Sequence, residues 1–171
     1  MKKRFRKTLR LLDEKYPSGM GDDLLLYDLG CRTEMSRLMA KKYFVLNNIT
    51  DIDFDVDQDE ITELSDDTQV TTSFEVFEHL LNPYAVLKAI KSEELLCSVP
   101  LRVWFSRAYW RSDKRDRHFH EFERRQFLWL LDATGWDVLD SGVWYIGQGI
   151  GIRPFLRLFF PSYFWVHAKR R

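Results

Sequence analysis

The sequence predicts an α/β fold in which a doubly wound, mostly parallel sheet has an antiparallel strand at one edge. Short apolar runs alternate with amphipathic stretches along the 171 residues, as in parallel strands joined by helices on both faces of a sheet. Two apolar runs near the end are separated by a connection without a full helix, so we expect them to pair antiparallel. No repeat or linker interrupts the chain, and we expect a single domain over residues 1–171.

The first part of the chain predicts two helices and three strands. Apolar residues recur at helical spacing in the first stretch, and Pro17 ends it. Continuous apolar runs predict buried strands, and strict alternation of acidic and apolar residues over 51–57 predicts a half-buried strand. The predicted elements are a helix over 2–16, a strand over 24–29, a helix over 33–43, and strands over 44–49 and 51–57.

The remainder predicts four strands and two helices, with an irregular basic and aromatic segment over 102–119. Gly135 ends the second of these helices, and residues 147–151 form a glycine-rich turn. The predicted elements are strands over 70–74, 95–101, 136–144 and 163–168, and helices over 83–91 and 123–134.

The composition excludes several classes of protein. Twenty-six basic and 26 acidic residues give a net charge of zero, so bulk charge predicts no partner and we expect no nucleic-acid binding. Cys31 and Cys97 match no metal spacing and favour a reduced, intracellular protein. The N-terminus lacks the apolar segment of a signal peptide, and no apolar run reaches the roughly 18 residues of a membrane span. We therefore expect a cytoplasmic protein whose oligomeric state the sequence leaves open.

Two acids and a histidine, Glu75, Glu78 and His79, follow the predicted strand over 70–74. In an open α/β sheet, ligands bind at the edge where the strands end. A histidine there can serve as a general base because its pKa is naturally near neutral. Its ring can equally be satisfied by hydrogen bonds that stabilise the following helix.

The first predicted strand ends in Asp28-Leu29-Gly30-Cys31-Arg32-Thr33-Glu34 and leads into a helix. Glycine permits a close approach of the backbone, and a helix N-terminus offers unpaired N–H groups. This segment is therefore a candidate nucleotide-binding turn. An ordinary strand-to-helix turn without a ligand is the alternative.

Taken together, these segments resemble the class I S-adenosylmethionine-dependent methyltransferases, especially the small-molecule branch. EVFEHLLNP over 75–83 resembles the motif after the family's fourth strand, and DLGCRTE over 28–34 resembles its DLGCGTG turn. The pattern His118-x-x-x-Phe122, then Leu-Leu and Gly-Trp-x-Val, resembles the segment before the sixth strand. The resemblance spans residues 24–136 and implies a Rossmann-like sheet.

The resemblance also implies a cofactor, S-adenosylmethionine, and a small-molecule acceptor, with sugar- and lipid-linked molecules among the candidates. It assigns cofactor contacts to the turn over residues 28–34 and ribose contacts to an acid within residues 51–57. It assigns substrate contacts to the basic and aromatic segment over 102–119. The implied cofactor-binding residues are Asp28, Gly30, Cys31, Arg32, Asp51, Asp53 and Glu75. The implied catalytic residues are His79 and His120, and the substrate wall comprises Tyr109, Trp110, Arg111 and Arg117.

Arg32 and Glu34 stand where the family has its second and third glycines. Arg32 can pair with the cofactor's carboxylate, or both side chains can fill the space of the cofactor's methionine part. In the second case, the chain is a catalytically silent methyltransferase-like protein that acts as a binding or scaffold module. The interval over 44–67 is short for the family, and whether it lacks a helix stays open.

Metal binding is not expected from the sequence. A calcium loop starting at Asp51 would need glycine and glutamate where the chain has Val56 and Thr62. His118-x-His120-Glu121 suggests zinc, but no further histidine lies nearby in sequence. We also expect a possible weak membrane-surface contact through residues 152–162, where aromatic and basic residues mix. A connector packed under the sheet is the alternative for that segment.

Overall fold

The computed structural model describes residues 3–17, 24–30, 33–47, 68–106, 117–147 and 151–171. A 3₁₀ turn over Phe77–His79 joins β3 to α3. In chain order, the described elements are α1 (Lys3–Lys15), β1 (Leu25–Asp28), α2 (Glu34–Met39), β2 (Phe44–Asn47), β3 (Val70–Phe74), α3 (Pro83–Ala89), β4 (Glu94–Pro100), α4 (Arg124–Ala133), β5 (Trp136–Trp144), α5 (Ile152–Leu156) and β6 (Tyr163–Arg170).

The strands form one six-stranded sheet in the order β2-β1-β3-β4-β6-β5. The pairs β1–β2, β1–β3 and β3–β4 are parallel, and β6 runs antiparallel to both β4 and β5. This confirms the predicted fold class, and the strand that runs in the opposite direction lies next to the edge strand. The strand order reverses between β1 and β3, which is the point where ligands bind in such sheets.

Helices cover both faces of the sheet. Because successive residues of β4 point to opposite sides, this one strand packs against the helices of both layers. Leu95, Cys97 and Val99 join the cluster under α3 and α4, whereas Leu96 joins the cluster under α1 and α2. Burial of both faces explains why β4 is a continuous apolar run rather than an alternating one.

Helix α1 runs along the sheet, from the carboxyl ends of the parallel strands to the start of β4. Its apolar face buries Phe5, Leu11 and Leu12. At its C-terminal end, the Tyr16 hydroxyl donates to Glu94 Oε2 over 2.6 Å, at the start of β4. The N-terminal end of α1, including Arg4, therefore lies near the carboxyl ends of the parallel strands.

The structure changes some predicted bounds and leaves others outside its described residues. The predicted helix over 33–43 ends at Met39, and turns follow in which the amides of Lys42 and Tyr43 donate to the Met39 carbonyl. The predicted 152–162 segment contains the short helix α5. The predicted 51–57 strand lies outside the described residues. So do all of residues 48–67, and whether the 44–67 interval lacks a helix therefore stays open. No described helix combines the length and the apolar character needed to cross a membrane.

Arg170, near the end of β6, holds the ends of α3 and α4 together. Its guanidinium donates to the carbonyls of Lys88 over 2.8 Å and Thr134 over 3.0 Å, and lies 4.7 Å from the centre of the Trp136 ring. The last carbonyls of a helix have no partner within the helix, so an outside donor stabilises them. Arg170 supplies that donor to both helices.

Replacing Arg170 with leucine is expected to lower the free energy of unfolding by about 1–3 kcal/mol, because several helix-end carbonyls lose their donor. Urea denaturation followed by circular dichroism measures the change. The matched control is Arg171→Leu, since Arg171 pairs only with the exposed carboxylates of Asp132 and Asp137 among the described residues, and its effect should be much smaller. Equal losses in the two variants would contradict the role given to Arg170.

Candidate functional site

The candidate site lies where β1, β3 and β4 end. The ladder between β1 and β3 ends as the Leu29 amide donates to the Thr72 carbonyl over 2.8 Å. The ladder between β3 and β4 ends as the Glu75 amide donates to the Ser98 carbonyl over 2.9 Å. Beyond these bonds the chain leaves the sheet, and the polar side chains of the three strand ends face one region.

The turn after β1 depends on a glycine. Gly30 has a φ of +114°, a conformation that residues with a Cβ rarely adopt. A Cβ at this position would lie 3.0 Å from Cγ2 of Val76, in the turn after β3. The two turns that border the site therefore touch each other, and only a residue without a side chain permits this approach.

Asp28 is buried at the end of β1 and fixes the start of α2. Its Oδ2 accepts a hydrogen bond from the Ser36 hydroxyl over 2.6 Å, and its Oδ1 accepts one from the Thr72 hydroxyl over 2.8 Å. Ser36 and Thr33 also form a capping box at the helix N-terminus. Asp28 thus ties the first turn to both α2 and β3.

Glu75 occupies the turn after β3 in a strained backbone conformation. Its φ is +62°, which is unusual for a residue other than glycine and is often found at functional sites. Its carboxylate accepts hydrogen bonds from the Ser98 hydroxyl over 2.9 Å and from Arg4 Nη1 over 3.2 Å. Burial raises the pKa of Glu75 to about 7, against the lowering effects of Arg4 and Ser98. Glu75 therefore titrates near neutral pH.

Arg4 brings α1 into the site. Its side chain is 31% exposed, and its guanidinium lies 5.4 Å from the Phe5 ring centre and 5.9 Å from that of Tyr163. Although burial opposes the charge, the carboxylate of Glu75 and the hydroxyl of Tyr163 hold the pKa of Arg4 above its usual value. Arg4 is therefore a permanent positive charge at this edge.

A second cluster, which we call the Glu78–His79–His118 cluster, adjoins this pair. Glu78 is only 1% exposed, and its Oε1 lies 3.8 Å from His79 Nε2. The rings of His79 and His118 meet edge to face, with centroids 4.8 Å apart. Burial first, and then the charge of Glu75, raise the pKa of Glu78 well above its usual value. Two imidazoles and one carboxylate, with candidate ligand atoms within 4.8 Å of one another, are a set that can hold a metal ion.

The structure separates the two predicted catalytic histidines by environment. His79 Nδ1–H donates to the Arg117 carbonyl over 2.8 Å. His120 instead donates from Nε2–H to the Leu81 carbonyl over 3.2 Å and stacks on Phe122, so the ring beside His79 is that of His118.

Asp28, Gly30 and Glu75 do lie together at the strand ends, and the roles predicted for all of these residues stay predictions. Seven predicted residues lie outside the described residues: Cys31, Arg32, Asp51, Asp53, Tyr109, Trp110 and Arg111.

Sequence reasoning missed four residues of the site: Arg4, Glu78, Ser98 and His118. Arg4 stood in a basic block that is usually solvent-exposed, and Ser98 stood within an apolar strand. Glu78 was named with Glu75 and His79 but given no role, and His118 was weighed only as a zinc ligand beside His120 and Glu121. A buried acid beside a histidine was the one signal that pointed to Glu78.

A groove of about 370 Å³ opens at the end of β4, between residues 101–104 and the start of α4. Trp104, which is 77% exposed, meets the Phe160 ring edge to face, with centroids 6.2 Å apart. Three arginines and one glutamate give its lining a net positive charge. The lining residues are Leu101, Arg102, Val103, Trp104, Glu123, Arg124, Arg125, Phe160 and Pro161.

Comparison with known proteins gives a family match and several structural neighbours. A family model described as a methyltransferase domain matches residues 5–141. The fold is similar to that of 1,6-didemethyltoxoflavin-N1-methyltransferase from Burkholderia thailandensis, with a TM-score of 0.66, 13% identity, and coverage of 99% of this chain and 79% of that one. No curated protein sequence matches this chain.

Two further solved structures have similar folds. An S-adenosylmethionine-dependent methyltransferase from Mesorhizobium loti gives a TM-score of 0.59 at 12% identity, covering 94% of this chain and 96% of that one. Geranyl diphosphate C-methyltransferase from Streptomyces coelicolor A3(2) gives a TM-score of 0.59 at 11% identity, covering 98% of this chain and 80% of that one. At such identities the structures establish the fold alone.

The family model spans most of the chain, and the sheet order, the glycine turn and the motif over 75–83 agree with it. The chain therefore belongs to the class I S-adenosylmethionine-dependent methyltransferases, and methyl transfer from S-adenosylmethionine is the activity that this membership assigns to it.

Proposed function

We propose that this chain methylates an anionic, amphiphilic small molecule, such as a sugar- or lipid-linked precursor, at the edge formed by β1, β3 and β4. The observation that carries the proposal is the basic and aromatic groove at the end of β4, the strand whose Ser98 hydroxyl donates to Glu75. A groove of this lining offers guanidinium groups to a phosphate or carboxylate and aromatic rings to an apolar portion.

The residues at the strand ends fit the cofactor of the family. The turn at Gly30 leaves no side chain between the backbone and Val76, and the turn at Glu75 adds a second border. Asp28, Gly30 and the Glu75 turn would hold S-adenosylmethionine, which supplies a methyl group already activated by its sulfonium. Catalysis then requires alignment of the acceptor with that methyl group.

Within this proposal, Glu75 takes the proton that the acceptor loses. A general base works best when its pKa lies near the working pH, and burial brings the pKa of Glu75 to about 7. Arg4 covers Glu75 from the side of α1 and orients its carboxylate. His79 donates from Nδ1–H to the Arg117 carbonyl and turns Nε2 towards Glu78 at 3.8 Å, so we assign the role of base to Glu75.

An exposed apolar surface continues from the groove and favours an acceptor presented at a membrane. Phe159 is 64% exposed and contacts Phe155 with ring centroids 5.2 Å apart, and Phe160 adjoins them in the groove. Ile152 and Leu158 are also exposed. Apolar side chains flanked by arginines are typical of segments that rest on anionic lipid surfaces. The geranyl diphosphate enzyme, whose structure contains geranyl diphosphate, is an example of this fold accepting an apolar chain with an anionic head.

We expect isothermal titration calorimetry to detect S-adenosylhomocysteine binding to the purified chain. Gly30→Ala should weaken that binding by at least about 10-fold, because a Cβ would push the first turn away from Val76. Ser141→Ala on β5 is the control for a substitution of similar size away from the site, and circular dichroism checks that both variants fold.

No binding to the unaltered chain at millimolar ligand would overturn the enzyme function and favour the silent binding module. In that case, Arg32→Gly combined with Glu34→Gly should restore binding.

Glu75→Gln is expected to flatten the dependence of stability on pH. A carboxyl whose pKa rises from 4.5 to about 7 on folding binds its proton more tightly in the folded state. Its stabilising contribution is complete below about pH 4.5 and disappears as the pH rises through 7. Melting temperatures measured from pH 4.5 to 8 should fall less for Glu75→Gln than for the unaltered chain. Glu93→Gln, at an exposed position, should leave the profile unchanged. A profile unaltered by Glu75→Gln would remove the reason for naming Glu75 as the base.

The double variant Phe155→Ser with Phe159→Ser should reduce co-sedimentation with phosphatidylglycerol vesicles by at least about 10-fold, since two exposed aromatic rings lose their burial in lipid. The exposed Leu139 on β5 provides the control Leu139→Ser, which should bind vesicles like the unaltered chain. Co-sedimentation that is absent from the start, or equally reduced in the control, would contradict the membrane-presented acceptor. Cofactor binding is measured separately and is independent of this result.

A further inference from the structure

We propose that Glu78, His79 and His118 form a binding site for one divalent transition-metal ion. Neither the family assignment nor the methyl-transfer proposal requires a metal. The site would use one carboxylate oxygen and two imidazole nitrogens, a ligand set suited to zinc and iron among the divalent metals. Three protein ligands leave coordination positions open for water or a ligand oxygen.

The geometry of the Glu78–His79–His118 cluster is close to that of a bound site. Its candidate ligand atoms lie within 4.8 Å of one another. Ligands about 2.1 Å from a tetrahedral zinc ion lie roughly 3.5 Å apart. A closure of about 1 Å, within reach of side-chain rotations, would bring the three groups to bonding distance of one ion.

His79 already has the outer hydrogen bond that metal-binding histidines use. Its Nδ1–H donates to the Arg117 carbonyl over 2.8 Å, and because a carbonyl only accepts, Nδ1 carries the proton. The lone pair of the neutral ring is then on Nε2, the atom that faces Glu78 Oε1 at 3.8 Å. Such a bond fixes the tautomer and the ring orientation of a metal ligand.

Glu78 supplies an independent observation. It is 1% exposed, and its Oε2 has no hydrogen-bond partner within the described residues. A buried carboxyl oxygen without a hydrogen-bond partner is destabilising, and a metal ion bound to it would remove that penalty. Arg4 contacts the neighbouring Glu75 over 3.2 Å and acts on Glu78 through its charge alone, so Oε2 of Glu78, which has no hydrogen-bond partner within the described residues, is available to a cation.

The backbone holds the two halves of the cluster together. The Glu78 carbonyl accepts hydrogen bonds from the amides of Phe119 over 2.8 Å and His120 over 3.1 Å. With the His79 bond to Arg117, these contacts fix residues 117–120 against the 3₁₀ turn. His118 is thereby positioned without metal, as expected for a site formed before the ion binds.

The test uses the full chain after removal of metals with a chelator. Calorimetry with Zn²⁺ should show one ion bound per chain, with proton release because Glu78 must ionise. Co²⁺ should give the visible absorption of a tetrahedral or five-coordinate complex. Glu78→Gln and His118→Ala should each weaken Zn²⁺ binding by at least about 10-fold, and Glu78→Gln should keep the metal-free fold because it removes a buried carboxyl group.

Controls come from the other two histidines. His120→Ala changes the same segment, and His167→Ala changes a histidine bound to Glu94 in β4; both should bind Zn²⁺ like the unaltered chain. The proposal is overturned if no stoichiometric Zn²⁺ or Co²⁺ binding occurs, if Glu78→Gln and His118→Ala bind normally, or if the control variants lose as much affinity. These measurements use no methyl acceptor, so their failure is distinct from a failure of S-adenosylhomocysteine binding.

Discussion

The arrangement of this chain depends on how it accommodates two carboxyl groups with little exposure to water, those of Glu75 and Glu78, at the carboxyl edge of its sheet. Removing a carboxylate from water costs more than most single contacts return. The cost at Glu75 is offset by Arg4, which α1 delivers from the start of the chain, and by the Ser98 hydroxyl at the end of β4. One electrostatic requirement therefore ties α1, β3 and β4 together.

The need to stabilise the Glu75 carboxylate also shapes the candidate site at the ends of β1, β3 and β4. Glu75 keeps its carboxylate between Arg4 and Ser98 only by adopting a φ of +62°, and the chain then turns so that Val76 meets Gly30. The turns at Gly30 and Glu75, both with positive φ, meet where the strand order reverses, and they form a border whose backbone is fixed before any ligand arrives. Preorganisation of this kind supports the alignment that transfer from an activated methyl group needs.

Local pattern was enough to predict the strands but not the site. The bounds of β3 and β5 match the predicted strands because each strand's own residues define it. The bond from Arg4 to Glu75 joins residues 71 positions apart, and no periodicity signals such a pair. The choice between His118 and His120 was equally hidden, since both lie in one irregular segment. The amides of Phe119 and His120 decide it by binding the Glu78 carbonyl.

Two carboxyl groups three residues apart also acquire different roles from their surroundings. Glu75 has a permanent cation beside it and a hydroxyl donor, so its pKa is raised only to about 7. Within the described residues, neither a permanent cation nor a hydroxyl donor contacts the Glu78 carboxyl, and burial together with the charge of Glu75 raises its pKa further. Ionising one group therefore favours the proton on the other. A cation bound at Glu78 would favour the charged form of both groups, and the imidazoles of His79 and His118 stand where that cation would bind. A proton acceptor beside a metal ligand is the division of labour that this pair of environments supports.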